Sequence, residues 1–136
     1  MVYLDTNVLI YASVTQDPAK KERSIELLDT LIAQNKLTLS TLTLQEFAFT
    51  MAKLGIDDAI IHQDSMFYMN YVTVEHDFTL MNEAIDLCCE HHACKHINDI
   101  LHLLLAHRAR STRLVTYDKG FKKLRMLSEI EIEVLT

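Results

Sequence analysis

Four acidic residues lie where a carboxylate could do chemistry. Asp5 and Asp118 each follow a short apolar run that predicts a buried strand, whereas Glu46 and Asp99 each precede a largely apolar stretch that predicts a packed helix. In an open parallel sheet, ligands bind beyond the carboxyl ends of the strands, and the helices begin at the same edge. We therefore expect the four carboxylates to converge on one cleft.

Converging carboxylates indicate a bound cation, because they repel one another and are costly to desolvate without one. Oxygen ligands without a Cys or His partner suit hard ions such as Mg²⁺ or Mn²⁺. Such ions activate water and stabilise the charge that develops when a phosphodiester is cleaved. The pattern therefore indicates metal-dependent cleavage of phosphodiesters.

Each acid also has an ordinary structural explanation. The helix dipole favours an acid near a helix start, which would account for Glu46 and Asp99. A turn that uses Gly120 would account for Asp118. Asp5 is harder to explain in this way, because a carboxylate between two apolar stretches carries a burial cost that needs a compensating partner.

The elements that must position these acids alternate along the chain. Asp17-Pro18 and Asp77 provide helix starts, and Thr43 with Glu46 three residues later has the arrangement of a capping box. Strands separated by helices imply parallel pairing, with helices on both faces of the sheet. Apolar runs predict the five strands near residues 2–4, 37–40, 71–74, 113–116 and 130–135.

Composition fits one α/β domain. The chain has 136 residues, so residues 1–136 are expected to share one core. Hydrophobic residues make up 49% of it, and only two Gly and one Pro occur, which argues against a loop-rich β-sandwich and against disorder. No apolar run is long enough for a membrane span, and the N-terminal segment lacks the positive start of a signal peptide. Three Cys within seven residues favour reduced thiols, so we expect a cytoplasmic protein.

The segments around the four acids resemble the motifs of the PIN domain family, and within it the small stand-alone VapC-like toxins. The order and the intervals of the motifs match, and they extend from residue 4 to residue 121. The resemblance implies a three-layer α/β/α fold with a central parallel sheet of four to five strands. The matching segments are Leu4-Asp5-Thr6-Asn7, Leu44-Gln45-Glu46-Phe47, Asn98-Asp99-Ile100-Leu101 and Val115-Thr116-Tyr117-Asp118, with Phe121 beyond the last.

The same resemblance implies a divalent-metal-dependent endoribonuclease that is often a homodimer and is neutralised by a cognate antitoxin protein. Mg²⁺ or Mn²⁺ would be the cofactor and RNA the substrate. Carried over by position, the catalytic site would consist of Asp5, Glu46, Asp99 and Asp118. Asp5, Asp99 and Asp118 would be metal ligands, with Asn7 and Thr116 as polar supports. Met66, Phe67, Met69 and Tyr71 fit either the core or a dimer surface.

One departure from the family pattern follows the third acid. Such toxins usually carry small residues there, whereas this chain has His102, Leu103 and Leu104. His102 lies one helical turn beyond Asp99 and on the same helix face. It would either contact the site or be a hydrogen-bonded core histidine.

A Cys- and His-rich segment from Cys88 to His96 invites a zinc interpretation. It has no Cys-x-x-Cys pair, and no distant second pair completes a tetrahedral site, so the spacing does not favour structural zinc. Cys88 also falls on an apolar helix face. A second interpretation is that His91, His92 or His96 lies beside the cleft and contacts phosphate when protonated.

The net charge of −6 averages two unlike parts of the chain. Residues 1–107 carry six basic and fifteen acidic residues, whereas residues 108–136 carry seven basic and four acidic ones. The basic segment brackets Asp118, so its side chains could hold RNA phosphates beside the metal site. A solvated surface with charges paired to acids elsewhere explains them equally well. The candidate RNA contacts are Arg108, Arg110, Lys119, Lys122 and Lys123.

Two alternatives to a ribonuclease stay open. The first is a non-catalytic module that keeps the fold and binds RNA or a partner. The second is a phosphotransfer enzyme with Asp5 as nucleophile, since an acid after the first strand also suits phosphoryl chemistry. Against the second, Asn7 stands where such hydrolases usually carry a second Asp.

Overall fold

Five short strands form one fully parallel sheet in the computed structural model, which describes residues 1–136. The strands are β1 (Val2–Leu4), β2 (Leu37–Ser40), β3 (Val72–Val74), β4 (Arg113–Thr116) and β5 (Glu131–Val134), in the order β3-β2-β1-β4-β5. The α-helices are α1 (Thr6–Ser13), α2 (Pro18–Ala33), α3 (Thr41–Lys53), α4 (Asp58–Met69), α5 (Phe78–Glu90) and α6 (Ile97–Arg108). Two 3₁₀ segments, Cys94–His96 and Lys119–Leu127, complete the chain.

The central strand β1 lies where the direction of strand order changes. It pairs with β2 on one side and with β4 on the other, and the chain adds β3 and β5 outward from these two neighbours. The carboxyl ends of β1 and β4 therefore lie side by side at the switch point, which is the place where open α/β sheets bind ligands. Asp5 directly follows β1, and its backbone N–H donates to the carbonyl of Val115 on β4 at 3.0 Å.

Helices cover both faces of the sheet, and each face has its own hydrophobic core, so the expectation of one shared core was wrong because the sheet divides it. Successive side chains of a strand point to opposite faces. Accordingly Val2 and Leu4 pack in the core that contains Phe47 and Met51 of α3, whereas Tyr3 packs in the other core. That second core consists mainly of α5 and α6 against β4 and β5. This arrangement confirms the three-layer α/β/α fold.

Local signals placed most elements within one or two residues. Asp17 and Asp77 cap α2 and α5 as predicted, and their side chains accept backbone N–H groups of the first turn. The largely apolar sequence of α6 predicted deep burial, and six of its twelve residues are buried. None of the helices combines the length and the apolar character that crossing a membrane requires.

The predicted start of α3 was wrong. The helix begins at Thr41, and its N-cap is Ser40, whose hydroxyl accepts the backbone N–H of Thr43. The Thr43 hydroxyl in turn accepts from the backbone N–H of Ser40, so the capping box is formed by these two residues. Because Ser40 was assigned to the end of β2, its additional role as the N-cap of α3 was not predicted. Glu46 is therefore not a capping residue, and its carboxylate is available to the cleft.

Candidate functional site

Asp5 is buried at the junction of β1 and α1, where three donors hold its carboxylate. The backbone N–H of Thr6 donates to Oδ1 at 2.7 Å, and the Thr116 hydroxyl donates to Oδ2 at 2.7 Å. The Asn7 side-chain amide also donates to Oδ2, at 3.2 Å. Burial nevertheless outweighs these contacts and raises the pKa of Asp5 above its usual range. Asp5 is thus fixed in position at an electrostatic cost that a nearby cation would offset.

Asn7 and Thr116 support Asp5 as a small polar network. The Asn7 amide donates to the Thr116 hydroxyl at 3.2 Å, and its carbonyl oxygen accepts the backbone N–H of Tyr117 at 3.1 Å. Because these bonds tie the start of α1 to the end of β4, they hold the strand ends in register beside Asp5.

Glu46 projects from α3 toward the same junction. The Thr6 hydroxyl donates to its Oε1 at 2.8 Å, and the same oxygen contacts Nε2 of His102. Burial alone would raise the pKa of Glu46, but the hydrogen bond and the positive charge of His102 outweigh burial and lower it. Glu46 therefore enters the cleft as a carboxylate.

Asp99 lies in the first turn of α6 and is half-buried. Burial, followed by the negative charges of Asp5 and Asp118, raises its pKa from 3.8 to about 6. Nδ1 of His96 is 3.9 Å from its carboxylate, which is too far for a hydrogen bond. A carboxyl group that lies in a cleft, and whose pKa is raised by burial and by charged neighbours, is typical of a functional site.

His102 is both a core histidine and a site residue. Its side chain is almost completely buried, Nδ1 is 2.7 Å from the Tyr3 hydroxyl, and Nε2 faces Glu46 and Asp5. Burial would lower the pKa of His102, but its contacts with Tyr3, Glu46 and Asp5 outweigh burial and raise it well above the usual value. Both roles that the sequence left open are therefore realised.

These groups line one open cleft of about 670 Å³. Its wall carries three carboxylates, and no Lys or Arg lines it. The acidic oxygens of Asp5 and Glu46 and Nε2 of His102 all lie within 4.8 Å of one another. A cation fits this donor set, because it would relieve the burial of Asp5 and the repulsion that raises the pKa of Asp99. The remaining lining includes Asn7, Tyr11, Gln45, Phe49 and Asn98.

Asp118 lies at the edge of this arrangement. Its Oδ1 accepts the backbone N–H of Gly120 at 2.8 Å and caps the 3₁₀ segment Lys119–Leu127. The residue is exposed and is not part of the cleft lining, although its charge contributes to the raised pKa of Asp99. In this structure Asp118 acts on the site through its charge.

The candidate RNA-binding residues lie outside the cleft. Arg108 is bound to Asp77 through an ion pair of 2.9 Å, so part of its charge is already matched. Arg110, Lys119, Lys122 and Lys123 are exposed, and none of them lines the cleft. The predicted role of these residues in RNA binding therefore has no direct contact with the cleft lining to support it.

The Cys- and His-rich segment forms the end of α5 and the turn before α6. Cys88 is buried on the apolar face as predicted, whereas Cys89 and Cys94 are exposed with their sulfurs 3.8 Å apart. His91 and His92 are exposed, and neither lines the cleft.

Two site residues were not singled out from the sequence. Tyr3 was assigned to the apolar core, and its hydroxyl contacts His102. Thr6 was passed over although it directly follows Asp5, and its hydroxyl holds Glu46. A hydroxyl inside an apolar strand was the available signal for Tyr3, because a buried hydroxyl needs a hydrogen-bond partner.

Asp99→Asn is expected to stabilise the metal-free protein at neutral pH. Because the folded-state pKa of Asp99 is raised from 3.8 to about 6, its ionisation opposes folding above that range. The two proteins should be equally stable below about pH 4, and the variant should gain on the order of 3 kcal/mol above about pH 6. Urea denaturation with a chelator present, at pH 4 and at pH 7.5, measures this difference. A gain that is the same at both pH values would contradict it.

The comparisons with known proteins agree with this geometry. The PIN domain model matches residues 2–127. Among solved structures, the VapBC2 complex of Rickettsia felis bound to a promoter DNA fragment aligns over 100% of both chains with a TM-score of 0.68 and 17% identity. The Mycobacterium tuberculosis toxin VapC20, which cleaves the sarcin-ricin loop, aligns over 90% of this chain and 94% of its own, with a TM-score of 0.66 and 16% identity.

A third solved structure, FitAcB from Neisseria gonorrhoeae, aligns over 98% of this chain and 96% of its own, with a TM-score of 0.66 and 18% identity. A search of curated protein sequences gives no match. At these identities the solved structures establish a shared fold, and the family model covers nearly the whole chain. The protein therefore belongs to the PIN domain family.

Proposed function

We propose that this protein is a divalent-metal-dependent endoribonuclease and the toxin of a toxin–antitoxin pair. The observation that carries the proposal is the cleft itself, in which Asp5, Glu46 and Asp99 converge at the switch point of the sheet with no Lys or Arg among them. Three carboxylates against one charged histidine leave the cleft with a net negative charge, so by itself it would repel a phosphodiester. A bound cation would turn this repulsion between the cleft and the phosphate into attraction.

Asp5 and Asp99 are the proposed direct ligands for Mg²⁺ or Mn²⁺, with Asp118 completing the acidic set. A divalent ion held there would make water more acidic and would stabilise the charge that develops on the phosphate. Asp5 is suited to this role because its three donors fix its orientation before any ion binds. Asn7 and Thr116 keep it there.

Glu46 is the proposed residue that orients the attacking water. Thr6 and His102 both contact its Oε1, so those contacts leave Oε2 to accept a hydrogen bond. The lowered pKa of Glu46 keeps this group ionised, so that Oε2 can accept a hydrogen bond from the attacking water. Its position is set by two residues from different elements, α1 and α6.

RNA is the proposed substrate, and an antitoxin and a second copy of the chain are the proposed partners. The Mycobacterium tuberculosis neighbour is a toxin that cleaves an RNA loop, and the Rickettsia felis neighbour is a complex held on promoter DNA. On this chain, the helix α4 exposes Met66, Phe67 and Met69, each about half accessible. This surface suits burial in an assembly. We propose a cytoplasmic location.

Cleavage of a labelled structured RNA tests the proposal. We expect cleavage with Mg²⁺ or Mn²⁺, its loss when a chelator is added, and a loss of at least about a hundredfold in Asp99→Asn. Asp29→Asn, an exposed acid on α2, is the matched control and should keep full activity. Equal cleavage by the wild type and Asp99→Asn would overturn the proposed site.

A further inference from the structure

His102 is held in one orientation by contacts at both ring nitrogens. Nδ1 is 2.7 Å from the Tyr3 hydroxyl. On the opposite side of the ring, Nε2 contacts Oε1 of Glu46 and is 3.7 Å from Oδ1 of Asp5. The side chain is 1% exposed, so packing leaves little room for a different ring position. The role of the ring therefore depends on which nitrogen carries a proton.

Three hydroxyl groups beside the ring decide the state of Nδ1. The Tyr3, Ser40 and Thr43 hydroxyls contact one another in a triangle with edges of 2.7, 3.1 and 3.0 Å. The three hydroxyl hydrogens satisfy all three edges when each group donates to the next around the triangle. Tyr3 then has no hydrogen left for His102, and its oxygen has a lone pair free to accept one.

The opposite assignment leaves one contact unsatisfied. If Tyr3 donates to Nδ1, only the hydrogens of Ser40 and Thr43 remain for three edges, so two oxygens face each other with lone pairs alone. An unsatisfied buried contact of this kind is costly. Proton counting therefore assigns Nδ1–H as a donor to Tyr3. In the metal-free protein Nε2 also carries a proton, which it donates to Oε1 of Glu46. When that proton leaves, Nε2 presents a lone pair to the carboxylates of Glu46 and Asp5.

A divalent cation can take the place of this proton, because the ligand atoms of His102, Glu46 and Asp5 all lie within 4.8 Å of one another. Histidines that bind metals typically donate the other ring N–H to a fixed acceptor, which sets the tautomer and the ring orientation. The Tyr3 hydroxyl is such an acceptor here. We propose that Nε2 of His102 is a metal ligand together with Asp5 and Oε1 of Glu46, which leaves Oε2 of Glu46 to orient water. This inference rests on the proposed metal site and does not depend on RNA cleavage.

A nitrogen ligand changes which ion the site prefers. Mg²⁺ favours oxygen ligands, whereas imidazole suits first-row transition ions, for which affinity rises from Mn²⁺ toward Co²⁺ and Ni²⁺. The site is therefore selective for a transition ion such as Mn²⁺ over Mg²⁺. An all-carboxylate site of the kind expected from the sequence has no such nitrogen to favour the transition ion.

Pulsed electron paramagnetic resonance of the Mn²⁺-loaded protein tests the assignment directly, because it detects ¹⁴N bound to the metal. The wild type should show a ¹⁴N coupling that changes to ¹⁵N when histidine is isotopically labelled. His102→Gln should lose this coupling and bind Mn²⁺ at least about tenfold more weakly in calorimetry. Its Mg²⁺ affinity should change less. His96→Gln removes the other histidine near Asp99 and is the matched control, which should keep the coupling.

Absence of a nitrogen coupling in the wild type at saturating Mn²⁺ would overturn the inference, as would a coupling that persists in His102→Gln. Tyr3→Phe keeps the ring and removes its acceptor, so it provides a second test if His102→Gln fails to fold. It should weaken Mn²⁺ binding and leave the coupling detectable. RNA cleavage without a nitrogen coupling would leave the proposed function standing and this inference refuted. A nitrogen coupling without RNA cleavage would support this inference and refute the proposed function.

Discussion

Asp5→Asn is expected to reduce RNA cleavage by about three orders of magnitude, which corresponds to about 4 kcal/mol in the activation barrier. The change preserves shape and removes the charge of the acid that is most firmly oriented in the cleft. Thr6, Asn7 and Thr116 all donate to the native carboxylate. An amide in its place offers one acceptor oxygen and a poor ligand for a cation.

In the absence of metal the variant should fold with a stability close to that of the wild type, because relief of the buried charge offsets the hydrogen bond that the amide nitrogen cannot accept. Burial raises the pKa of Asp5, which means that its charge opposes folding at neutral pH. Cleavage rates, together with urea denaturation of both proteins, measure the two effects separately. A variant that loses activity because it unfolds would contradict this account, as would one that cleaves RNA at the wild-type rate.

Phe47→Ala is expected to have the largest effect on stability, about 3–5 kcal/mol. Phe47 is fully buried on α3, and its ring packs edge-to-face on Tyr68 of α4 with centroids 5.4 Å apart. Truncation removes this contact and leaves a cavity in the core that contains β1 and α1. Because Glu46 is the preceding residue, loosening α3 should also disturb the cleft.

Phe49→Ala is the matched control on the same helix. Its side chain is 65% exposed, so truncation should change the free energy of unfolding by no more than about 0.5 kcal/mol. Urea denaturation of the two variants beside the wild type makes the comparison. Similar losses for Phe47→Ala and Phe49→Ala would mean that α3 is not packed as described.

The sequence predicted the fold well because its signals are local. Apolar runs placed β2 and β4 with their correct bounds, and Asp17 and Asp77 marked the starts of α2 and α5. Asp5 was conspicuous for a physical reason, since a carboxylate between apolar stretches has to find compensation. The structure supplies part of that compensation through hydrogen bonds from residues that follow β1 and end β4, and burial still raises the pKa of Asp5.

The pairings inside the cleft could not be predicted in the same way. His102 meets Tyr3 across 99 positions of sequence and Glu46 across 56, so no local pattern connects them. The start of α3 was misplaced because Ser40 and Thr43 are both residue types that cap helices. Only the position at which β2 ends shows that the helix begins directly after Ser40. Tertiary contacts determine both the pairings of His102 and the start of α3.

The charge pattern of the sequence shows a basic segment but not which of its side chains are paired. The segment from residue 108 onward is basic, yet Arg108 pairs with Asp77 and Arg113 pairs with Glu133 at 2.9 Å each. Asp118 was grouped with the other acids on its position after β4, and its side chain caps the following turn. A count of charged residues does not show where each side chain points or which residue it contacts.

Crystals of the wild-type protein soaked in Mn²⁺, with diffraction recorded at the manganese absorption edge, show whether the cleft binds a metal ion. We expect an anomalous peak in the cleft, among the carboxylates of Asp5, Glu46 and Asp99, and no such peak in crystals of Asp5→Asn. A wild-type cleft without a peak at saturating Mn²⁺, or an unchanged peak in the variant, would contradict it.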